Sequence, residues 1–332
     1  MGLVAARLME TGFADVPATA RDQLQARMRA QQLFSLSMTA ELFAILDAFQ
    51  QKGIESLLVK GPVVSQLAYG DPAIRSYVDL DLLLRQEDIL AASRAMVGLG
   101  FEADVPEAAI LAGKIPGEYL FARHGTRHLV ELHTPGTFRY YPRPMRVNDL
   151  YARHRCVALD GKEIPTLSLE DEFLLNCIHG AKHFWERLMW TADIAALVVR
   201  HPEIDWRQTH QAAREVGAAR MLRVGLLLSE ALLGVQVPEA VAANVKADSA
   251  AKELVRQIQG WAPYAGYMAP PLVRRAMFRW RMGGGVFGGT GYLLRLSLST
   301  TEDDWSGGQR GSRVLEILRR PFRLIRKYGP GG

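Results

Sequence analysis

An alternating run of acidic and apolar residues, SYVDLDLLL, constrains this chain more than any other stretch. Alternation is the period of a β-strand, because successive side chains point to opposite faces. Asp79 and Asp81 therefore leave one face of the strand, with Cα atoms roughly 6.5 to 7 Å apart. The opposite face carries Val78, Leu80 and Leu82 and is expected to pack against a core. The run thus predicts a strand that presents two carboxylates together.

Two carboxylates held this way repel each other unless a cation lies between them. Mg²⁺ suits such a pair, since it prefers oxygen ligands and shares its shell with substrate phosphates. A third carboxylate is available in HLVELH, where Glu131 and His133 share a strand face. An adjacent pairing of the two strands would bring Glu131 beside Asp79 and Asp81. The alternative is an exposed edge strand that carries solvated acids.

A strand-to-helix turn lies about twenty positions upstream, where ESLLVK runs into Gly61 and Pro62. The N-terminus of the following helix, VVSQLAYG, has free backbone N–H groups and a positive dipole end, which suit a phosphate. Gly61 removes a Cβ that would hinder close approach, and Lys60 adds a positive charge. Arg75 can contact the same phosphates in bidentate fashion. A tight turn with no ligand is the structural alternative.

Further elements surround these motifs. Helical patterns are predicted at residues 20 to 51, in QEDILAASRAMVGLG, and from residue 168 onward, where Ser168 caps a helix. EYLFARHG and RHLVELH read as two strands of a hairpin. The predicted fold class is α+β, with a small mixed β-sheet core and a larger all-helical C-terminal region. The predicted parts are a helical segment 1–52, the core 53–145, a helical domain 146–262 and a Gly-rich connection with a basic C-terminal segment 263–332.

The ordered set LLVKG, LAYGDPAIRSYVDLDLLL and VELH resembles the nucleotidyltransferases of the DNA-polymerase-β-like superfamily. Among these it looks most like a poorly characterised bacterial branch, whose downstream helices carry a pattern like HGAKHFWERLMWTADIAALV. The resemblance spans roughly residues 40 to 200. It also extends in part to the toxin-type pattern KGG…R.S.D.D, which is matched by Lys60, Gly61, Arg75, Ser76, Asp79 and Asp81.

The resemblance implies transfer of a nucleoside monophosphate from a nucleoside triphosphate to an acceptor hydroxyl or similar nucleophile, with release of pyrophosphate. Asp79, Asp81 and Glu131 would be the catalytic, metal-binding carboxylates, with Mg²⁺, or Mn²⁺ in its place, as the cofactor. Lys60, Gly61, Arg75 and Ser76 would bind the nucleotide. One departure concerns the turn, where Pro62 follows Gly61 and supplies neither a hydroxyl nor an N–H to a phosphate.

A second polar group occurs in HGAKH, where His179 and His183 are spaced i, i+4 with Lys182 beside them. This spacing can ligate zinc, but no third ligand is evident. Together with His133, these side chains are candidates for contacts to the nucleotide or the acceptor. Helix packing is the alternative for His179, Lys182 and His183.

Bulk properties limit the class of protein. The 332 residues, of which 48% are hydrophobic, can bury a sizeable core, and the two cysteines fit neither a disulfide framework nor a zinc site. No long apolar run or leader is evident, so a cytoplasmic protein without a transmembrane segment is expected.

The positive charge is concentrated near the C-terminus. Residues 271–332 hold twelve Lys or Arg against four Asp or Glu. This basic segment can lie on an anionic membrane or another polyanion, or dock on the helical domain. No aromatic and basic motif of a nucleic-acid-binding module occurs, so no specific nucleic acid is expected as a partner.

Two alternatives to a general transferase stay open at this point. The first is a non-catalytic nucleotide-binding or partner-binding protein that keeps the fold. The second is an enzyme that modifies a peptide or another natural product. The acceptor, a small molecule, peptide or protein, does not follow from the sequence, because pocket shape determines acceptor specificity.

Overall fold

The structure, a computed structural model, describes residues 2–13, 16–113, 117–143, 145–261, 272–284 and 286–298. These residues form a seven-stranded mixed sheet with helices before, between and after its strands. The predicted α+β class is therefore confirmed.

The sheet has the strand order β3-β4-β5-β2-β1-β7-β6. β2 runs antiparallel to β1 and parallel to β5, and β7 runs parallel to β1. The strand with the two aspartates therefore lies at the centre of the sheet and not at an exposed edge. The strands are β1 Ser56–Val59, β2 Asp79–Leu84, β3 Phe101–Ala103, β4 Glu118–Arg123, β5 Leu129–His133, β6 Arg155–Leu159 and β7 Lys162–Thr166.

Helices make up most of the remaining regular structure. Short 3-10 turns occur at Gln86–Asp88 and Pro135–Tyr140. The α-helices of the described residues are α1 Gly2–Glu10, α2 Ala18–Gln50, α3 Gly61–Tyr69, α4 Ile89–Gly98, α5 Glu107–Leu111, α6 Val147–Ala152, α7 Leu169–Lys182, α8 Leu188–Arg200, α9 Trp206–Glu215, α10 Ala219–Leu233, α11 Glu239–Ala247, α12 Ser249–Trp261, α13 Leu272–Met282 and α14 Val286–Leu298.

Strand β2 follows the predicted alternation with one exception. Leu80 and Leu82 are fully buried, as expected for a core-facing strand. Val78 lies before the first strand residue and is 60% exposed, so its predicted packing is wrong. Pairing of β2 with β5 begins at Asp79, so the alternation of faces that would bury Val78 does not extend to it.

The hairpin of β6 and β7 was not predicted. In the sequence, its strands lie between the predicted core and helix α7. In the sheet, β7 pairs with β1 and β6 forms the edge. The hairpin turns at Asp160 and Gly161, both with positive φ. Each strand has only five residues, so its period is weak in the sequence.

The helical run predicted from residue 168 is two helices. Ser168 caps α7 by accepting a hydrogen bond from the Asp171 N–H, as predicted. The helix ends because Phe184 and Trp185 adopt positive φ values of 57° and 53°. Trp185 folds back over Gly180, where an added Cβ would lie 2.7 Å from the indole ring. Packing of one aromatic side chain therefore separates α7 from α8.

The glycine-rich run GGGVFGG is partly helical among the described residues, since Gly283 and Gly284 form a turn after α13 and the run then enters α14. Gly288 and Gly289 lie within α14. A Cβ at Gly289 would lie 2.1 Å from the Trp280 carbonyl oxygen, so the glycine permits close approach of α13. The basic segment from residue 299 to 332 lies outside the described residues.

The chain divides into two compact units. The first combines Met1–Ile110, Tyr119–Thr134 and Tyr151–Leu167 and contains most of the sheet. The second combines Leu111–Glu118, Pro135–Leu150 and the described residues from Ser168 onward, and it is mainly helical. The four-part division predicted from the sequence stays a prediction.

Helix α2 is the one helix, among the described residues, that is long and apolar enough to cross a membrane. It has this property by length and composition only, and core helices of soluble proteins share it. The C-terminal half of α2 contributes Met38, Leu42, Ile45 and Phe49 to the core, whereas Leu33 and Leu36 of the same helix are exposed.

Candidate active site

The pairing of β2 with β5 brings the predicted acidic residues together. The two strands are parallel, with Asp81 opposite Glu131 and Asp79 opposite Leu129. Residues two apart share a face, so Asp79 and Asp81 project on the same side as Glu131 and His133. The predicted adjacency of the two acidic strands is therefore confirmed.

Asp81, Glu131 and His133 form a compact group. One potential ligand atom of each lies within 4.8 Å of those of the other two. His133 Nε2 is 2.6 Å from Asp81 Oδ1 and 3.3 Å from Glu131 Oε2. The side chains of Asp81 and His133 are each 5% exposed, whereas that of Glu131 is 33% exposed. Glu131 is thus the member of this group most accessible to a ligand.

Lys60 completes the surroundings of Asp81. Its Nζ lies 2.8 Å from Asp81 Oδ1, the same oxygen that His133 contacts. Antiparallel pairing sets Val59 opposite Asp81, so the next residue of the chain emerges beside the carboxylate. Lys60 has an unusual φ of 55° and ψ of −144° for a residue with a side chain. Strained backbone of this kind is common at functional sites.

The two cations control the charge of Asp81. Burial alone would raise the pKa of Asp81, but Lys60 and His133 outweigh it and lower the pKa below its ordinary value. Burial would conversely lower the pKa of His133, but its hydrogen bonds with Asp81 and Glu131 raise it to about 9. At neutral pH, and with no metal bound, Asp81 is therefore a carboxylate held between two positive charges.

Asp79 has the opposite environment. Burial, followed by repulsion from Asp81 and Glu131, raises the pKa of Asp79 to about 6. Its negative charge is therefore not fully compensated by the surrounding residues. A bound cation would remove this repulsion, which is an independent sign that the face is suited to a positive ligand.

The donor set fits a divalent metal ion. Asp81 and Glu131 offer hard oxygen atoms and His133 offers a nitrogen, with Asp79 on the same face. All-oxygen ligand sets suit Mg²⁺, whereas imidazole is a frequent ligand of later transition metals. His133 was predicted only as a cleft contact. The Glu-x-His spacing of one strand face is the signal by which it could have been included.

The turn before α3 places Gly61 in the left-handed region of backbone conformation, and its role in admitting a phosphate stays a prediction. Gly61 has a φ of 40°, and an added Cβ would meet its nearest neighbour, the Asp79 carbonyl oxygen, at an ordinary 3.5 Å. Glycine is therefore required by backbone conformation more than by space. Pro62 occupies the first turn of α3, where its missing N–H leaves no helical hydrogen bond unmade.

The remaining nucleotide-binding candidates have partners within the first unit. Arg75 is 5% exposed, and its backbone N–H donates to Ser65 Oγ at 3.1 Å. Ser76 is exposed, and its hydroxyl donates to Gln31 Oε1 at 2.7 Å. Burial of Arg75 limits the part of its side chain that a phosphate could reach.

His179, Lys182 and His183 lie in the second unit. The two imidazole centroids are 4.7 Å apart, and each ring packs on Trp190 at 5.1 or 5.3 Å. Lys182 Nζ lies 3.8 Å from Glu118 Oε1. Across the described residues, no third ligand joins the two histidines in a metal-binding group.

A protein-family model described as an uncharacterised nucleotidyltransferase matches residues 1–234, about 70% of the chain. The comparison with curated proteins finds no significant match.

Three solved structures have distantly similar folds. The solution structure of the antibiotic-resistance factor ANT(2'')-Ia is 11% identical and covers 55% of this chain and 91% of its own, with a TM-score of 0.39. The lincomycin-bound lincosamide antibiotic adenylyltransferase LnuA is 18% identical, covering 48% and 94%, with a TM-score of 0.35. An antigenic nucleotidyltransferase-like protein from Paracoccidioides brasiliensis is 16% identical, covering 63% and 97%, with a TM-score of 0.35.

Proposed function

The chain belongs to the uncharacterised nucleotidyltransferase family, and from this premise we propose that it transfers a nucleoside monophosphate from a nucleoside triphosphate in a metal-dependent reaction. The acceptor supplies a hydroxyl or similar nucleophile. Its oxygen bonds to the α-phosphorus, the bond from that phosphorus to the bridging oxygen breaks, and pyrophosphate leaves. The observation that carries the proposal is the convergence of Asp81, Glu131 and His133, with Asp79 on the same sheet face.

Asp79, Asp81 and Glu131 are the proposed metal ligands, and His133 joins them. When bound, Mg²⁺ or Mn²⁺ would neutralise charge on the phosphate oxygens and orient the triphosphate. The partly exposed Glu131 is also the proposed acceptor of the proton from the attacking hydroxyl, because the acceptor can reach it. These roles require the carboxylates to stay ionised at working pH.

The turn after β1 is the proposed site for the triphosphate. The N-terminus of α3 offers backbone N–H groups and a positive dipole end beside the acidic face. Lys60, which contacts Asp81 when no nucleotide is present, would donate to a phosphate oxygen in the complex. Arg75 and Ser76 are proposed as further contacts at this end of the site. A cytoplasmic location belongs to the proposal because the donors are intracellular metabolites.

Thermal unfolding with ATP, GTP, CTP and UTP, each with and without Mg²⁺ or Mn²⁺, tests the donor site. A nucleotide at about 100 times its Kd stabilises the folded protein by roughly 2.7 kcal/mol. We expect a metal-dependent rise in melting temperature with at least one nucleotide. The rise should be lost in Asp79→Asn/Asp81→Asn and kept in Glu87→Gln, whose exposed carboxyl follows the same strand. A rise that survives in the double variant would refute the assignment.

A second candidate is nucleotide binding without transfer. It is favoured by Pro62 in the first turn of α3 and by the contact of Lys60 with Asp81, which occupies an oxygen that a metal would need. Incubation with labelled triphosphate and a broad set of acceptors separates the two functions. Binding without pyrophosphate release would support this candidate, whereas release that depends on Asp81 would support transfer.

A further inference from the structure

Helices α13 and α14 form a hairpin whose outer face is apolar. Phe287 is 95% exposed and Val286 is 65% exposed at the start of α14, and Leu294 and Leu298 continue the same face at 56% and 45%. The spacing of 287, 294 and 298 places them on one side of a helix. The opposite side, with Gly289 and Tyr292, is buried. α14 thus exposes the side chains that an ordinary surface helix would bury.

Helix α13 extends this apolar surface. Val273 is 69% exposed and Met277 is 52% exposed, one turn apart, while Phe278 and Met282 are buried. Glycines bring the two helices into close contact, since a Cβ at Gly288 would lie 2.3 Å from the Gly283 carbonyl oxygen. Several exposed apolar side chains on two packed helices mark a site of interaction with a protein or a membrane.

The charge around the hairpin favours an anionic partner. Residues 254–301 contain six arginines and no Asp, Glu or Lys. Arg274 is exposed beside Val273, and Arg281 is half-exposed near the end of α13. Arg275 and Arg279 instead lie over the Phe184 ring at 5.2 Å and hold α13 in place. Arginine beside exposed aliphatic and aromatic side chains is the composition of helices that lie on anionic lipid.

We propose that this hairpin docks on an anionic membrane surface, with Val273, Met277, Val286, Phe287, Leu294 and Leu298 at the level of the lipid headgroups. Helices of 11 and 13 residues are about 16 and 20 Å long, too short to span a hydrocarbon core of about 30 Å. The hairpin therefore lies on the membrane and does not cross it. A nucleic acid does not fit this surface. Its phosphates would contact the arginines but would leave the exposed apolar side chains without a partner.

Charge also argues against coverage by the chain's own C-terminal segment. Residues 299–332 contain seven Lys or Arg and four Asp or Glu, so they carry net positive charge like the hairpin. Docking that segment on the hairpin would bring like charges together, whereas anionic lipid would attract both.

Vesicle flotation of the full chain tests the proposal, without nucleotide or divalent cation, so that it is independent of the transferase function. Vesicles of phosphatidylcholine alone are compared with vesicles containing about one-third phosphatidylglycerol. We expect binding to the anionic vesicles that weakens with salt. Phe287→Ser/Leu294→Ser should weaken partitioning by about tenfold or more, because two apolar side chains no longer enter the lipid.

Matched variants isolate the cause. Val199→Ser removes a 69% exposed apolar side chain from α8 and should bind like the wild type. Arg274→Gln should weaken binding to the anionic vesicles. Equal melting temperatures would show that the variants fold. No binding by the wild type would overturn the proposal, as would undiminished binding by Phe287→Ser/Leu294→Ser, which would assign binding to residues 299–332. A wild-type oligomer that this double variant disperses would also overturn it, in favour of a second copy as the occupant.

Discussion

At the scale of single residues, the candidate site is organised around the neutralisation of Asp81. The carboxylate is buried, and Lys60 and His133 both contact the same oxygen. A buried charge is tolerated when it is paired and hydrogen-bonded. Asp79, two residues away on the same face, has less positive charge around it and has a raised pKa. The protein therefore keeps one stable and one unfavourable carboxylate on the same face, as expected where function limits stability.

Replacement of Asp79 should stabilise the metal-free protein. Its pKa is raised to about 6 by burial and by repulsion from Asp81 and Glu131, so ionised Asp79 destabilises the folded state. This penalty is complete above about pH 6 and disappears below the unfolded pKa near 4. In EDTA at pH 7.5, Asp79→Asn should raise the free energy of unfolding by about 1 to 3 kcal/mol. Urea unfolding at pH 7.5 and pH 4.5 measures the change.

The gain in the free energy of unfolding of Asp79→Asn should be smaller at pH 4.5 than at pH 7.5. Glu87→Gln should show no gain at either pH. Equal stability of Asp79→Asn and wild type at pH 7.5 would contradict the repulsion inferred for this carboxylate.

At the scale of elements, aromatic packing and buried ion pairs determine where helices end and how they associate. Trp185 packs on Gly180 and separates α7 from α8. Asp248 lies before α12, accepts hydrogen bonds from Arg220 and Arg223 of α10, and caps α12 through the Ala251 N–H. The pairs of Asp248 with Arg220 and Arg223 join residues 28 and 25 positions apart, so they could not be predicted from one segment.

Gly180→Ala should destabilise the second unit. The new Cβ would lie 2.7 Å from the buried Trp185 indole, and overpacking of this kind costs about 1 to 3 kcal/mol. Gly260→Ala is the matched control, because nothing lies within 4 Å of its added Cβ in α12. There alanine should stabilise by up to about 1 kcal/mol through its higher helix propensity. Chemical denaturation of both variants measures the difference, and an equal effect of the two would contradict the packing argument.

Asp248→Asn should destabilise the protein in a pH-dependent way. Burial alone would raise the pKa of Asp248, but hydrogen bonds from Arg223, the Ala251 N–H and Arg220 outweigh it and lower the pKa. The ionised carboxylate therefore stabilises the fold above its unfolded pKa near 4, and this contribution is lost as the pH falls through the lower folded value. We expect a loss of about 1 to 3 kcal/mol at pH 7.

Unfolding free energies of wild type and Asp248→Asn, measured at pH 7 and at successive pH values below 4, test the direction of this pH dependence. The difference between wild type and Asp248→Asn should narrow with acid. Exposed Asp22→Asn should give little difference at any pH. A gap that widens with acid would refute the ion-pair account.

At the scale of the whole molecule, the sheet is completed by strands β6 and β7, which come later in the sequence than the acidic strands β2 and β5. β7 pairs with β1 through Leu58 and Thr166, and the Thr166 hydroxyl donates to the Leu58 carbonyl at 2.6 Å. β1 in turn pairs with β2, which carries the aspartates. The β6–β7 hairpin thus covers the otherwise unpaired edge of β1, the strand next to β2.

Truncation should show this dependence. A fragment of residues 1–167 retains β6 and β7, whereas a fragment of residues 1–145 exposes the edge of β1. We expect the longer fragment to be soluble with a cooperative thermal transition and the shorter one to aggregate, because unpaired strand edges recruit other chains. Circular dichroism and size-exclusion chromatography distinguish them. A folded, monomeric shorter fragment would show that the hairpin is dispensable.

The sequence by itself determined the features that depend on local periodicity and local caps. These include the strand face shared by Asp79 and Asp81, the helix 20–51, the Ser168 cap and the family resemblance, which the family match confirms. The strand face, the helix and the cap are each specified within one short segment, where backbone geometry and side-chain order suffice.

Only the tertiary structure decided which distant residues meet. Strand register placed Glu131 opposite Asp81 and brought His133 to the same oxygen as Lys60, although 21 and 52 positions separate Asp81 from Lys60 and His133. It also added the β6–β7 hairpin and placed Gly288 and Gly289 within α14. These outcomes depend on the free energies of pairing and packing between segments that are distant in the sequence. The residue pattern of one segment does not determine them.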